Sequence, residues 1–305
     1  MQSSKRFNPD THYAIPGKPP RANTEHIKRR CLDVPYGDLS ESQKLDIYLP
    51  DEGNGPFPVI LAIHGGAFMG GDKADIQVLP MLEALKRNYA VVSINYRLSW
   101  EAIFPALIHD AKTAVRWVRS KADEFQFDPD RIAAWGGSAG GYLSLMLGVT
   151  QDLPEFEDTS LGYADQPSNV QAVIDWFGPT NFLKMDEQLA ESGMKPPREF
   201  AHSEENSPES LILGQKITEI PKQVQIANPE TYVRSGLPPF YIQHGDKDST
   251  VPHQQSINIA KKLGAALDQN KVKFDILPGA KHADPAFGTH ENVQKVLAFL
   301  DKHLK

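Results

Sequence analysis

The chain has 305 residues, of which 40% are hydrophobic and 23% are charged, and its formal net charge is −7. The acidic balance excludes general nucleic-acid binding, which requires a cationic surface. No apolar run approaches the ~18 residues of a membrane span, and the N-terminus lacks the apolar core of a signal peptide. We therefore expect a soluble protein without a membrane partner. The sequence as written indicates the cytoplasm, and secretion after removal of a signal peptide stays an alternative.

The predicted elements begin after an irregular start. Residues 1–30 are rich in proline and charge and predict a solvated N-terminal arm. The segment 45–50 alternates like a half-buried strand, and short apolar runs predict buried strands at 57–66, 89–97, 131–137, 170–179, 238–246 and 271–279. A helical stripe of apolar residues marks 107–118, and helices are also predicted at about 139–149, 253–268 and 290–303.

This alternation of strands and helices predicts an α/β fold with a mainly parallel central sheet, helices on both faces and one domain over residues 1–305. In such sheets ligands bind beyond the carboxyl ends of the strands, where the polar clusters of this sequence lie. The long segment 181–229 carries charged clusters and many prolines. It is either a surface insertion or a lid over the site, and its length favours a lid.

A single serine lies within a glycine cluster, in the stretch "AAWGGSAGGYL" of residues 133–143. Gly136, Ser138 and Gly140 match the G-x-S-x-G pattern, between a predicted strand and a predicted helix. A sharp strand-to-helix turn forces the central residue into strained backbone angles and lifts its side chain clear of the sheet. The context therefore predicts that Ser138 is a nucleophile.

A nucleophilic serine requires a base, and the oxyanion that it creates requires hydrogen-bond donors. The segment "IHGGAF", residues 63–68, follows an early strand and predicts an oxyanion loop. We expect the backbone N–H groups of Gly66, Ala67 and Ala139 to be the donors, with His64 as a structural histidine. Among the ten histidines, His282 alone lies on a loop after a late strand, and it is the predicted base.

The acid that orients the histidine is expected from "HGDKDSTVP", residues 244–252, which offers Asp246 and Asp248 after the same strand. Position scarcely separates the two. Asp246 follows a glycine directly and is suited to bracing the turn, whereas Asp248 lies further into the loop. A serine, aspartate and histidine in this chain order are typical of α/β hydrolases.

Five segments together resemble the esterase and lipase branch of the α/β-hydrolase superfamily: "HGGAF", "NYRL…FPALIHDAKTAVRWV", "GGSAGGYLSL", "WFGPTNF" and "HGDKDSTVPHQQS". Over about residues 32–303 the chain is most similar to bacterial acetyl esterases and bifunctional feruloyl/acetyl xylan esterases. The resemblance implies Ser138 as nucleophile, Asp248 as acid, His282 as base and a structural Asp110. Ala67 stands where the hormone-sensitive-lipase branch carries a third glycine.

Four aromatic residues near strand ends are candidates for the wall of a small substrate pocket: Phe68, Trp100, Trp176 and Phe177. The polar insertion is unlike an apolar lipase lid, so we expect a soluble ester of a short-chain or aromatic acid. The resemblance adds acetyl or feruloyl groups on small molecules or xylan-type oligosaccharides as the substrate.

The scattered histidines show no metal-ligand spacing, and no phosphate loop opens the first βα unit. We therefore predict neither a metal nor a cofactor. Two alternatives stay open. A serine peptidase or amidase of the same fold usually carries a large propeller domain, for which this chain has no room. A non-catalytic ligand-binding relative would have lost the histidine, whereas His282 is present.

Overall fold

The computed structural model describes residues 20–195 and 201–305. In these ranges eight strands form one sheet: β1 (Arg30–Pro35), β2 (Lys44–Tyr48), β3 (Phe57–Ile63), β4 (Ala90–Ile94), β5 (Phe127–Gly137), β6 (Ala172–Trp176), β7 (Phe240–Gly245) and β8 (Val272–Leu277). Their order is β1-β2-β4-β3-β5-β6-β7-β8. The pairs β1/β2 and β2/β4 are antiparallel and the others are parallel, so the predicted mainly parallel sheet is confirmed.

Helices cover both faces of this sheet. They are α1 (Leu79–Leu82), α2 (Ala106–Ser120), α3 (Ala122–Phe125), α4 (Ala139–Val149), α5 (Met185–Glu191), α6 (Pro208–Leu213), α7 (Pro221–Ala227), α8 (Gln254–Ala266) and α9 (His290–Leu304). Side chains of α2, α4 and α8 pack in one apolar cluster, and those of α1 and α9 in a second. The predicted stripe of α2 is buried, because Leu107, Ala111, Ala114 and Val118 all face the first cluster.

The strands at the two edges of the sheet differ from the prediction. β1 lies outside every predicted strand, because its side chains are mostly exposed and carry no apolar alternation. β8 was expected to be buried, but all six of its residues are only half-buried, since one side of this strand has no partner strand. The central strand β3 is buried throughout, and the last three residues of its predicted run, 64–66, belong to the loop that follows.

The predicted N-terminal arm covers residues 1–30, of which residues 1–19 lie outside the described residues. Most side chains of residues 20–30 are exposed, but a few contacts join this stretch to the rest of the chain. Ile27 is 6% exposed within the second apolar cluster. Ala22 N–H donates to the carbonyl of Ala74 at 2.8 Å, and Arg21 forms an isolated bridge with Asp75. These contacts attach the described part of the arm to the domain, and the solvated arm stays a prediction.

The segment 181–229 contains α5, α6 and α7 with short 3₁₀ turns between them. Several of its apolar side chains are buried in the first apolar cluster: Phe182, Met185, Ile212, Ile217, Ile220 and Val224. The described parts of the segment therefore pack onto the central domain. No helix among the described residues is long and apolar enough to cross a membrane.

Candidate active site

Ser138 lies at the turn between β5 and α4. Its backbone angles are φ 56° and ψ −121°, in a region that favours glycine. Two hydrogen bonds hold this conformation: Ser138 N–H donates to the Trp176 carbonyl at 2.8 Å, and Tyr142 N–H donates to the Ser138 carbonyl at 2.9 Å. A non-glycine residue persists in such a conformation only where its surroundings enforce it, and such residues cluster at active sites.

The glycines two residues before and after the serine allow three backbone segments to meet. A Cβ atom on Gly140 would lie 2.0 Å from the carbonyl oxygen of Ile63, at the end of β3. A Cβ atom on Gly136 would lie 2.8 Å from the same oxygen and would overlap the backbone of Gly140. Both positions therefore require glycine for steric reasons, as the elbow motif predicts.

His282 lies on the loop after β8, with its Nε2 atom 3.0 Å from Ser138 Oγ. Its side chain is 20% exposed. The ring of Phe177 stands edge-on to the imidazole, with 4.9 Å between ring centroids. The loops after β7 and β8 are joined directly, because Lys247 N–H donates to the Ala280 carbonyl at 3.0 Å. This junction brings the base and the predicted acids to the same edge of the sheet.

Asp248 is fully buried, and each of its carboxylate oxygens has two partners. Oδ1 accepts hydrogen bonds from the N–H groups of Thr250 at 2.8 Å and Val251 at 2.9 Å. Oδ2 lies 2.7 Å from His282 Nδ1 and 3.2 Å from His244 Nε2. Burial alone would raise the pKa of Asp248, but the two histidines lower that pKa well below its usual range. The carboxylate therefore stays ionised beside the imidazole.

Asp246, the other candidate acid, has a different position. Its Oδ1 atom accepts a hydrogen bond from Gly279 N–H at 2.6 Å, across the junction of the two loops. The structure thus brings Asp248, His282 and Ser138 into one hydrogen-bonded line and leaves Asp246 as a brace between the loops.

The segment after β3 approaches the serine closely. A Cβ atom on Gly65 would lie 3.2 Å from Ser138 Cβ. Gly66 and Ala67 have φ of 131° and 55°, so Ala67 adopts the left-handed region that favours glycine. Within the described residues, the N–H groups of Gly66, Ala67 and Ala139 donate to no acceptor of the chain.

The four aromatic candidates have different surroundings. Phe68 is buried and packs against Tyr142, with 5.2 Å between ring centroids. Phe177 contacts the ring of His282. Trp100 is 49% exposed on a loop in which Ser99 N–H donates to the carbonyl of Phe68 at 2.8 Å.

Trp176 is buried, as Phe68 and Phe177 are, and its role as a substrate contact stays a prediction. Its ring packs against Trp135 and Phe287, and its Nε1–H donates to Gln243 Oε1 at 2.7 Å.

Two residues of the quoted motifs have structural surroundings, as expected. Asp110 is buried and accepts hydrogen bonds from the Arg97 guanidinium, including Nη2 to Oδ1 at 2.8 Å. His64 stacks on Tyr96 with 4.6 Å between ring centroids, and its Nδ1 lies 2.8 Å from the Gly65 carbonyl. Burial lowers the pKa of His64, so the ring is neutral.

The sequence analysis missed two buried histidines near the site. His244 contacts Asp248, and its place in the "HGDKD" motif is a signal that could have identified it. His202 gave no such signal, because its partners are distant along the chain. Its Nε2 lies 2.8 Å from the Thr250 carbonyl, and its Nδ1 lies 3.1 Å from Glu209 Oε1.

The charge state of His202 is set by its surroundings. Burial opposes a charge on the ring, but the carboxylates of Glu209 and Asp186 outweigh it and raise the pKa of His202 to about 9. The segment 181–229 is therefore joined to the loop that carries Asp248 by a charged histidine. Over the described ranges, no three His, Cys, Asp or Glu side chains are grouped to hold a metal ion.

Comparison with known proteins adds to this geometry. The sequence profile of the BD-FAE family matches residues 45–263. The probable carboxylic ester hydrolase LipM of Mycobacterium tuberculosis is 31% identical over 269 residues, which are 87% of this chain and 59% of LipM. The chain therefore spans less than two thirds of that curated relative.

Two solved structures are similar over nearly the whole chain. A truncated form of a carbohydrate esterase from gut microbiota is 32% identical, with a TM-score of 0.79 over 94% of this chain and 99% of that one. A bifunctional GH43-CE protein of Bacteroides eggerthii is 29% identical, with a TM-score of 0.79 over 90% of this chain and 35% of that one.

Proposed function

Because the chain belongs to the BD-FAE family of α/β-hydrolase esterases, we propose that it hydrolyses carboxylic esters through an acyl-enzyme on Ser138. One observation carries this proposal: a continuous line of hydrogen bonds runs from Ser138 Oγ through His282 to Asp248, with distances of 3.0 and 2.7 Å. Serine hydrolases of unrelated folds share this arrangement, which is recognised by geometry and roles.

The proposed reaction has two steps. His282 Nε2 takes the proton of Ser138 Oγ as that oxygen attacks the ester carbonyl, and the imidazolium then protonates the leaving alcohol. In the second step His282 removes a proton from a water molecule as that water attacks the acyl-enzyme carbonyl. The imidazolium then returns the proton to Ser138 Oγ as the acid is released. Asp248 keeps its negative charge throughout and holds the proton of His282 on Nδ1.

We assign the oxyanion donors to the N–H groups of Gly66, Ala67 and Ala139. Three features support this assignment: their lack of an acceptor within the described residues, the approach of Gly65 to Ser138, and the N-terminus of α4, which favours negative charge at Ser138. Preorganised donors of this kind are worth several kcal/mol in the transition state, about 3–4 for one donor.

For the substrate, we propose short-chain or aromatic acyl esters, with acetyl or feruloyl groups on xylan-type carbohydrates as the natural case. The similar carbohydrate esterase and the GH43-CE protein favour a carbohydrate substrate. Phe68, Phe177 and the exposed Trp100 are the aromatic residues that we assign to the pocket. We further propose that residues 181–229 act as a lid of a single α/β-hydrolase domain, since His202 contacts the loop of Asp248.

A panel of esters tests this proposal. We expect hydrolysis of p-nitrophenyl acetate, methyl ferulate and acetylated xylan, and little hydrolysis of acyl chains beyond about eight carbons, because the insertion is polar. Ser138→Ala is the control for each substrate. Faster hydrolysis of p-nitrophenyl palmitate than of the acetate would contradict the short-chain assignment. Cleavage of peptide anilides in preference to esters would favour a peptidase instead.

A further inference from the structure

We infer that His244 is a positioning residue for the proposed esterase reaction, which it serves by holding the carboxylate of Asp248 in place to orient His282. This inference rests on the proposed function. His244 is the fifth residue of β7, and its side chain is fully buried. It lies four residues before Asp248 and does not contact Ser138, so its influence on the reaction must pass through the acid.

The contacts of His244 determine which ring nitrogen carries the proton. Nε2 faces the Val251 carbonyl at 2.9 Å and Asp248 Oδ2 at 3.2 Å, and both of these oxygens can only accept. Nε2 must therefore be the protonated nitrogen. Nδ1 lies 2.7 Å from Ser256 Oγ, whose hydroxyl can donate to it. A proton on Nε2, with the Ser256 hydroxyl turned toward Nδ1, satisfies all three contacts.

This arrangement fixes the acid from two sides. Asp248 Oδ1 is held by two backbone N–H groups, and Oδ2 is shared by the imidazoles of His244 and His282. A buried carboxylate is costly unless donors surround it, and His244 supplies one of the four. Because His244 also donates to the carbonyl of Val251, it restrains both the side chain of Asp248 and the loop that carries it.

Two substitutions of matched chemistry test the inference. The amide nitrogen of His244→Gln can occupy the place of Nε2 and donate to Asp248, whereas the shorter His244→Asn reaches only toward Ser256. We expect His244→Gln to keep kcat within about 3-fold of wild type. His244→Asn should lower kcat 10- to 100-fold, with KM changed less than 3-fold, because substrate contacts are untouched.

A double-mutant cycle separates positioning from a general structural role. We expect His244→Asn to change kcat less than 2-fold in an Asp248→Ala background, because no carboxylate is left to position. Equal losses in the two backgrounds would overturn the inference and leave the proposed function intact, as would equal losses in His244→Gln and His244→Asn. If Asp248→Ala alone left kcat unchanged, the proposed triad would fail, and the inference with it.

A second variant decides the matter if His244→Asn does not fold. Ser256→Ala removes the donor to Nδ1 and so weakens the preference for a proton on Nε2. We expect it to lower kcat about 3-fold, a loss that disappears in the Asp248→Ala background. An unchanged kcat in Ser256→Ala, or the same loss in both backgrounds, would overturn the inference.

Discussion

Replacing Asp248 with asparagine isolates the charge and tautomer function of the proposed acid, because the side chain keeps its shape. The two backbone N–H groups at Oδ1 decide how the new amide is oriented. Its oxygen faces them preferentially, since the reverse orientation would lose both of these hydrogen bonds, whereas this orientation loses the one from His244. A net difference of one hydrogen bond, about 1 kcal/mol, is roughly 5-fold in population. The amide NH₂ group then points to the side where Oδ2 meets His282.

This orientation forces His282 into the wrong tautomer. Facing an NH₂ donor, Nδ1 must accept, so the proton moves to Nε2 and faces Ser138 Oγ. The ring can then no longer take the serine proton. The variant also lacks the carboxylate charge that stabilises the imidazolium in the transition state. From the two effects together we expect kcat for p-nitrophenyl acetate to fall about 10³- to 10⁴-fold, which corresponds to about 4–5.5 kcal/mol, with little change in the melting temperature.

Asp246→Asn is the matched control, because it makes the same chemical change two residues away. Its amide oxygen can still accept from Gly279 N–H, but a neutral acceptor makes a weaker hydrogen bond than a carboxylate, so the brace between the loops is weakened. We expect less than a 5-fold loss of kcat, with the larger effect on thermal stability. If Asp246→Asn were the inactive variant and Asp248→Asn the active one, the assignment of the acid would be refuted.

Two further predictions concern single sites. We expect Gly140→Ala to lower activity more than 100-fold and the melting temperature by several degrees, because the added Cβ would overlap the backbone of β3. The control is Gly264→Ala in α8, where no atom lies within 4 Å of an added Cβ. We expect this variant to be neutral or slightly stabilising. Equal behaviour of the two variants would contradict the steric argument. The pKa of His202 is raised to about 9 in the folded protein, compared with about 6.5 in the unfolded chain. The charged ring therefore contributes its full stabilisation of the fold below about pH 6.5, and this contribution is lost as the pH rises through about 9. Chemical denaturation should show that the free energy of unfolding falls between pH 7 and 10 in the wild type and in His26→Gln, a control at an exposed histidine. The same fall in a His202→Gln variant would contradict the assignment.

Local patterns were sufficient for the elements that build the centre of the fold. Buried parallel strands have continuous apolar runs, so β3 and β5 could be placed from the sequence together with the elbow between β5 and α4. β1 could not, because an exposed edge strand needs no apolar pattern. The same limit applies to residues 20–30, where Thr24 and Ile27 are buried within a mostly polar and exposed stretch.

The candidate site divides in the same way. Ser138 is marked by its own neighbours in the chain, since the steric demands of the elbow act over two residues on each side. Asp248 and His282 were indicated by strand ends and chain order, but the sequence alone left Asp246 as an alternative. Contacts that join distant segments, such as His202 with the loop of Asp248, arise from tertiary packing and leave no local signal.

Labelling with a fluorophosphonate tests the central claim, an activated nucleophile at Ser138, most directly. Mass spectrometry of the wild-type protein should show one adduct, on the peptide that contains Ser138. His282→Ala should label at least 100-fold more slowly because the base is missing, and Ser138→Ala should not label at all. Adduct on another residue, or labelling of Ser138→Ala at the wild-type rate, would contradict the account.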